Sequence, residues 1–344
     1  SLLNQDGYGE NLLLYSRGQK KRLRDYATNL SIVNKNGIVI RNSDIRALPS
    51  VKPYFFNPQK AGEGFPFDYF QESKIYANTP IRALFATADE AFFYVSNYIS
   101  GGWIDSRNIY FTTPIEEKRL KDSKLFASIK DKTAVFGKNG VFLEKMAIGS
   151  FVYKDGEEFL GASSDGISKL IFDEDAFAPL PLEFSQRALS TLADGMMDEP
   201  YGWGGAFDNR DCSMFLRDLY LPFGIYLPRN SKDQAKLHSK RYIDLSKLSE
   251  AKKSEYITQN ATPFNTLLYL KGHILLYIGA REGEPLALHD MWGFAYSKNG
   301  EEKKYIIGKP VISTLYIGEK HDGFDSNKSI AARLLGMRDI APRF

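Results

Sequence analysis

One stretch of the chain gathers residue types that can do covalent chemistry. Tyr201-Gly202-Trp203-Gly204-Gly205 is followed by Asp211-Cys212-Ser213, and Cys212 is the only cysteine, so no intrachain disulfide can form. Phe215, Leu216 and Leu219 come next, at the i, i+3/i+4 spacing that buries one helix face. Asp211 or Ser213 would cap that helix. The thiol would then sit at its N-terminus, where the macrodipole favours the thiolate. The glycines ahead of it would let backbone and substrate come close. A lone cysteine is more often an inert, buried small hydrophobe, so the nucleophile reading depends on finding a base.

Four histidines are available: His238, His273, His289 and His321. His273 opens a strand signature, Gly272-His273-Ile274-Leu275-Leu276-Tyr277-Ile278-Gly279. Alternation places His273, Leu275 and Tyr277 on one face of that strand. His289 ends a second short strand, 286–289. Two histidines on neighbouring strands fit a base and its orienter, giving a Cys212-His273-His289 arrangement by the logic of catalytic triads. His238 and His321 sit in polar contexts and read as ordinary surface residues.

Other chemistries fit less well. His273, His289 and Asp290 lack the H-E-x-x-H or H-x-x-E-H spacing of a zinc site, so neither a metal nor a cofactor is expected. The acidic run Asp173-Glu174-Asp175 could in principle supply paired carboxylates, but beside Pro179 and Pro181 it reads as a solvated linker. Lys+Arg 45 against Asp+Glu 42 gives a net charge of +3, too balanced for a nucleic-acid partner. No run approaches the ~18–20 apolar residues of a membrane span.

The elements that would position these residues belong to two to three domains, as 344 residues suggest at roughly 150 residues each. Residues 1–37 read as a partly helical lead-in. Short β runs with turn chemistry fill 38–115 and 119–176, as in small barrels. Residues 151–200 carry 3 basic and 11 acidic residues and contain the Pro179-Leu180-Pro181 break, which places the main boundary near 177–182. Beyond it the period becomes helical from Leu182 to Met196. Strands follow at 273–278, 286–289, 304–307 and 311–317. Helices first and an antiparallel sheet afterwards describe an α+β domain.

Residues 182–318 resemble the NlpC/p60 family of papain-like bacterial cell-wall cysteine peptidases. The likeness rests on Tyr201, Trp203, Gly204 and Gly205, on Asp211-Cys212-Ser213, on Arg229-Asn230-Ser231 through Gln234, on Gly272-His273 through Gly279, and on His289. Met214 replaces the family's usual glycine after the serine, and Ile274-Leu275 replaces valine and glycine after the base. The front half resembles two bacterial SH3-like barrels, carried by residues 61–71 and Gly102-Trp103-Ile104. The resemblance implies a multidomain chain: two small all-β SH3-like barrels, an α+β papain-like cysteine peptidase domain at 182–318, and a C-terminal extension at 319–344. It implies a Cys212 nucleophile, a His273 base and a His289 orienter, with Tyr201, Trp203, Asp211 and Ser213 binding substrate. Asp68 and Glu72 of the first barrel would help Asp211 hold a free amine. The implied substrate is a peptidoglycan stem peptide or murein fragment, cut between γ-D-glutamate and a diamino acid. The expected place is the cell envelope, periplasmic or secreted with a signal peptide removed, a cytoplasmic recycling role being the alternative. Competing expectations are an inactive wall-binding scaffold and an amidase or acyltransferase on the same fold.

Overall fold

The computed structural model describes residues 2–60, 62–237 and 239–341, so His238 lies outside the described residues. Two compact units result. One comprises Ser1–Phe184 with Gly202–Asp208 and Tyr220–Ile225; the other comprises Ser185–Tyr201, Asn209–Leu219 and Tyr226–Phe344.

The first unit holds two antiparallel seven-stranded sheets. In the first, the strand order is Gln71–Ile75, Ser43–Arg46, Gly101–Asp105, Phe92–Ser96, Pro80–Thr87, Leu30–Val39 and Ile109–Phe111. Alternation decides which side chains go inside: Phe93 and Val95 are buried while Phe92 and Tyr94 are half-buried. Val39, Ile45, Ile75 and Ile104 complete that core. The second sheet runs from Lys124–Ser128 to Phe177–Pro179, around Val135, Met146, Val152, Phe159 and Leu170. Its Phe151–Asp155 and Glu158–Ser163 strands join through a two-residue loop opening with Gly156 at φ +57°, a conformation glycine adopts without strain.

The lead-in is helical at Arg17–Tyr26, where Ser16 and Gln19 form a capping box. It is shorter than 1–37, because the first strand already begins at Leu30 and pairs with Thr87. The polar Asn34-Lys35-Asn36 interrupts this strand's apolar residues and is exposed, so the sequence signals only its buried end at Gly37–Val39. Between the sheets, helix Pro114–Asp122 occupies the start of the expected second barrel, and the last strand, Phe177–Pro179, passes residue 176.

The second unit packs helices against a six-stranded antiparallel sheet. Its order is Tyr242–Asp244, Leu334–Asp339, Thr266–Leu270, His273–Arg281, Glu284–Lys298 and Glu301–Thr314. The core gathers Ile257, Leu268, Leu275, Tyr277, Ala287, Leu315, Leu334 and Met337. Residues 319–344 are not an extension outside the domain: Leu334–Asp339 lies inside the sheet and pairs with Thr266–Leu270 and with Tyr242–Asp244. Gly336 permits this, because a Cβ there would lie 2.4 Å from the Ile243 carbonyl oxygen. The short strands expected at 286–289, 304–307 and 311–317 are instead two long arms of one hairpin. Asn299-Gly300, both at positive φ, turns that hairpin, and this dipeptide was the signal in the sequence that marks it.

Candidate active site

Cys212 opens the helix Cys212–Tyr220 and is buried. Of the two candidate caps, the structure selects Asp211, whose Oδ1 accepts from the Met214 amide at 2.9 Å. The helix presents Phe215, Leu216 and Leu219 to the interior, all essentially inaccessible. Behind its start, Asp218 accepts from Arg210 Nε at 2.9 Å and from Arg217 Nε at 2.9 Å, all three side chains buried. Cys212 therefore stands on a helix fixed by charged groups at both ends of its first two turns.

Asp211 and Ser213, expected to bind substrate, are committed to holding this turn. Arg229 donates to Asp211 from both terminal nitrogens, Nη2 at 2.7 Å and Nη1 at 3.1 Å, and Nη1 also donates to Ser213 Oγ at 2.9 Å. Ser213 Oγ donates in turn to Asp211 Oδ1 at 3.0 Å. Burial pushes the Asp211 carboxyl up, but the Arg229 guanidinium and the donated hydrogen bonds outweigh it and hold the pKa below the ordinary value. Gln234 adds a second clamp: its Nε2 donates to the Ser213 carbonyl at 2.7 Å and the Pro228 carbonyl at 2.8 Å. Arg229 and Gln234 lay in the stretch already quoted for the resemblance, but only the fold shows what they hold.

The strand His273–Arg281 comes near Cys212 at its first residues. The Ile274 amide is near enough to the Cys212 sulfur to oppose the rise of its pKa, which places the thiol near the residue following His273. His273 Nε2 lies 2.9 Å from His289 Nδ1, and His289 Nε2 lies 3.0 Å from Ser313 Oγ. His289 is fully buried and His273 partly accessible. Cys212, His273 and His289 are thus assembled from one helix and two neighbouring strands, although 77 residues separate the first from the last in sequence (212 to 289).

The electrostatics differ from the expected thiolate. Burial pushes the Cys212 thiol well up, and the negative Asp211 beside it adds to this; the Ile274 amide and Arg229 act the other way without prevailing. A helix N-terminus contributes about 0.3–1 kcal/mol to a charge, less than burying an uncompensated anion costs. His273 is lowered to about 4, first by burial and then by the cationic Arg333, with Asp211 opposing. His289 lies well below its ordinary value through burial and the neighbouring His273. Both shifts favour the neutral forms, a thiol at Cys212 and an imidazole at His273. Tyr201 faces the same ionisable set: burial raises its hydroxyl well above the usual value, with Cys212, Asp211 and Asp290 adding to the effect, so it is a neutral donor. The Asp290 carboxyl is pushed well above the ordinary carboxylate range, chiefly by burial and then by Asp211, with Arg210 opposing. Among the described residues no group of three or more His, Cys, Asp and Glu side chains is arranged to hold a metal ion.

Trp203, Asp68 and Glu72 belong to the other unit. Trp203 Nε1 donates to the Asp68 carbonyl at 3.1 Å, and its ring packs edge-on to Phe67 and near Tyr69. Gly204, at φ +64°, is required by the barrel rather than by substrate: a Cβ there would lie 2.7 Å from the Gln71 carbonyl oxygen. Asp68 is a structural carboxylate, accepting from Arg46 at 2.7 Å and from the Tyr54 and Phe70 amides at 2.8 and 2.9 Å. Glu72 is exposed on the Gln71–Ile75 strand. His321 is packed among Phe294, Tyr296 and Tyr305 instead of lying free on the surface.

Comparison with known proteins agrees with this architecture. Residues 198–296 match the NlpC/P60 family model, and residues 53–105 match an SH3 domain of the SH3b1 type. A solved NlpC/P60 endopeptidase from Photobacterium damselae subsp. piscicida superposes with a TM-score of 0.86 at 23% identity, covering 98% of this chain and 81% of that one. An NlpC/P60 family protein from Bacillus cereus superposes with a TM-score of 0.59 at 12% identity, covering 89% of this chain and all of the other. No curated protein matches. Residues 198–296 are thus similar to the NlpC/P60 family, a family of peptidoglycan hydrolases, and residues 53–105 to an SH3 domain, and the fold of the chain is that of the Photobacterium endopeptidase.

Proposed function

We propose that this NlpC/P60 protein is a cysteine endopeptidase that cleaves peptidoglycan stem peptides between γ-D-glutamate and the diamino acid. The observation that carries the reading is the 2.9 Å contact of His273 Nε2 with His289 Nδ1, on the strand whose next residue, Ile274, influences the Cys212 thiol at the start of its helix. Nδ1 of His273 is then the nitrogen left for the thiol. In the proposed cycle the Cys212 proton passes to His273 as sulfur attacks the γ-glutamyl carbonyl. The tetrahedral adduct collapses to a thioester while His273 protonates the departing α-amine of the diamino acid. Water, deprotonated by His273, then releases the γ-glutamyl carboxylate and restores the thiol. A neutral resting pair suits this general-base sequence. The helix N-terminus and neighbouring donors act when the sulfur becomes anionic, so the charge is stabilised where it develops. The proposed site of action is the cell envelope.

Incubating the whole protein with a defined tripeptide stem should yield L-Ala-γ-D-Glu and the free diamino acid, read by mass spectrometry. Cys212→Ala should fold and yield neither. Turnover by Cys212→Ala, or cleavage at another bond, would refute the reading. A second substrate with its N-terminal amine acylated tests the expected amine capture. Asp68 and Asp211 already hold cationic partners, so capped stems should be cut at a comparable rate. A loss of several kcal/mol, as when a buried charge is left unpaired, would restore a free-amine requirement.

A further inference from the structure

We infer that Ser313 is a positioning residue that sets the tautomers of His289 and His273, leaving Nδ1 of His273 unprotonated toward Cys212. The inference rests on the proposed cysteine-peptidase reading and adds a fourth member to its relay. His289 pairs with Val311 across the hairpin, so Ser313, two residues further on, lies diagonally on the same face. Its hydroxyl has one proton. Ser313 Oγ donates to the Thr314 carbonyl at 2.8 Å, so toward His289 Nε2, at 3.0 Å, it can only accept. His289 then carries its proton on Nε2 and presents a bare Nδ1. His273 must donate from Nε2 across the 2.9 Å contact, and its own Nδ1 keeps the lone pair.

The alternative is a relay running the other way. With the Ser313 proton turned to His289 Nε2, His289 would be protonated on Nδ1 and would donate to His273. The His273 proton would then sit on Nδ1, and the imidazole facing the thiol could not act as its base. A neutral pair has no extra proton with which to escape this choice, and both imidazoles are held neutral by burial. One hydroxyl, turned by one carbonyl, thus selects the competent state.

The test uses the full chain labelled with 15N-histidine, its tautomers read from two-bond 1H–15N correlations at pH 7.5. His273 and His289 are both expected as Nε2–H. In Ser313→Ala, His289 should become a tautomer mixture. Its kcat should fall on the order of 10- to 100-fold with KM unchanged, the range lost when partners orienting a functional imidazole are removed from metal sites. Ser313→Thr, which keeps the hydroxyl, should preserve the wild-type spectrum and most of kcat. An Nδ1–H signal from His289 in the wild-type protein would overturn the inference, as would Ser313→Ala with unchanged tautomers and kcat. The wild-type spectrum decides the point even where Ser313→Ala fails to fold. Failure of the wild-type protein to cut any stem peptide would instead count against the proposed activity and leave the tautomer result standing.

Discussion

Removing the Asp211 carboxylate should loosen the nucleophile helix while making its thiol easier to ionise. Arg229 is about one-tenth exposed and gives Asp211 two hydrogen bonds, so Asp211→Ala leaves a nearly buried guanidinium without its counter-ion. Breaking one side of such a pair costs about 3–5 kcal/mol, and the lost N-cap accounts for about 1 of that. Asp211→Asn keeps the acceptor for the Met214 amide and should fall between Asp211→Ala and wild type. In Asp211→Asn/Arg229→Met no charge is stranded, and much of the loss should return, with a coupling of about 1–3 kcal/mol. Hydrogen exchange of the Cys212–Tyr220 amides reads the opening of this helix without requiring the whole chain to unfold in one step. At 1.4 kcal/mol per decade, Asp211→Ala should speed their exchange by roughly two to three and a half orders of magnitude, up to the limit of global unfolding. Asp211 is also among the groups raising the thiol, so Asp211→Asn should alkylate faster than wild type at a given pH. Exchange in Asp211→Ala within about tenfold of wild type, or no coupling in the cycle, would refute the reasoning.

Three further outcomes follow from the site. Burial holds Cys212 in its thiol form, so the wild-type rate of iodoacetamide modification should keep climbing with pH through the neutral range; a plateau near pH 7 would show a preformed thiolate. His289→Asn retains an acceptor for His273 Nε2 and should keep measurable turnover, whereas His273→Asn should lose nearly all; equal or reversed losses would show the roles misassigned. The cation of Arg333 lowers His273, so Arg333→Gln should raise that pKa from about 4 and move the acid limb of kcat/KM to higher pH. The sign is fixed: the base must be unprotonated, and losing a nearby positive charge makes protonation easier. Arg333 is exposed, so added salt should shrink the wild-type difference; an acid limb unmoved by Arg333→Gln at low salt would refute it.

The sequence alone determined the pieces whose physics is local. The helix after Cys212 was legible because Phe215, Leu216 and Leu219 repeat at helical spacing, and the strand at His273 because flanking glycines bound an apolar run. The proposed nucleophile, base and orienter, Cys212, His273 and His289, are expectations drawn from residue types in order along the chain. Long-range pairing was not legible. Leu334–Asp339 joins the sheet between strands that precede it by some 65 to 95 residues, and nothing local to it tells which edge it will fill. The start of the first strand is exposed on both faces, and the far half of the hairpin is half-buried or exposed throughout, so neither shows alternation. Only the tertiary structure decided that Trp203 and Gly204 serve the barrel and that Asp211 is spent on Arg229. It also decided that burial, outweighing a half-charge at the helix end, keeps the thiol protonated. Desolvation and pairing depend on which atoms surround a group, and those atoms come from segments far apart in the chain.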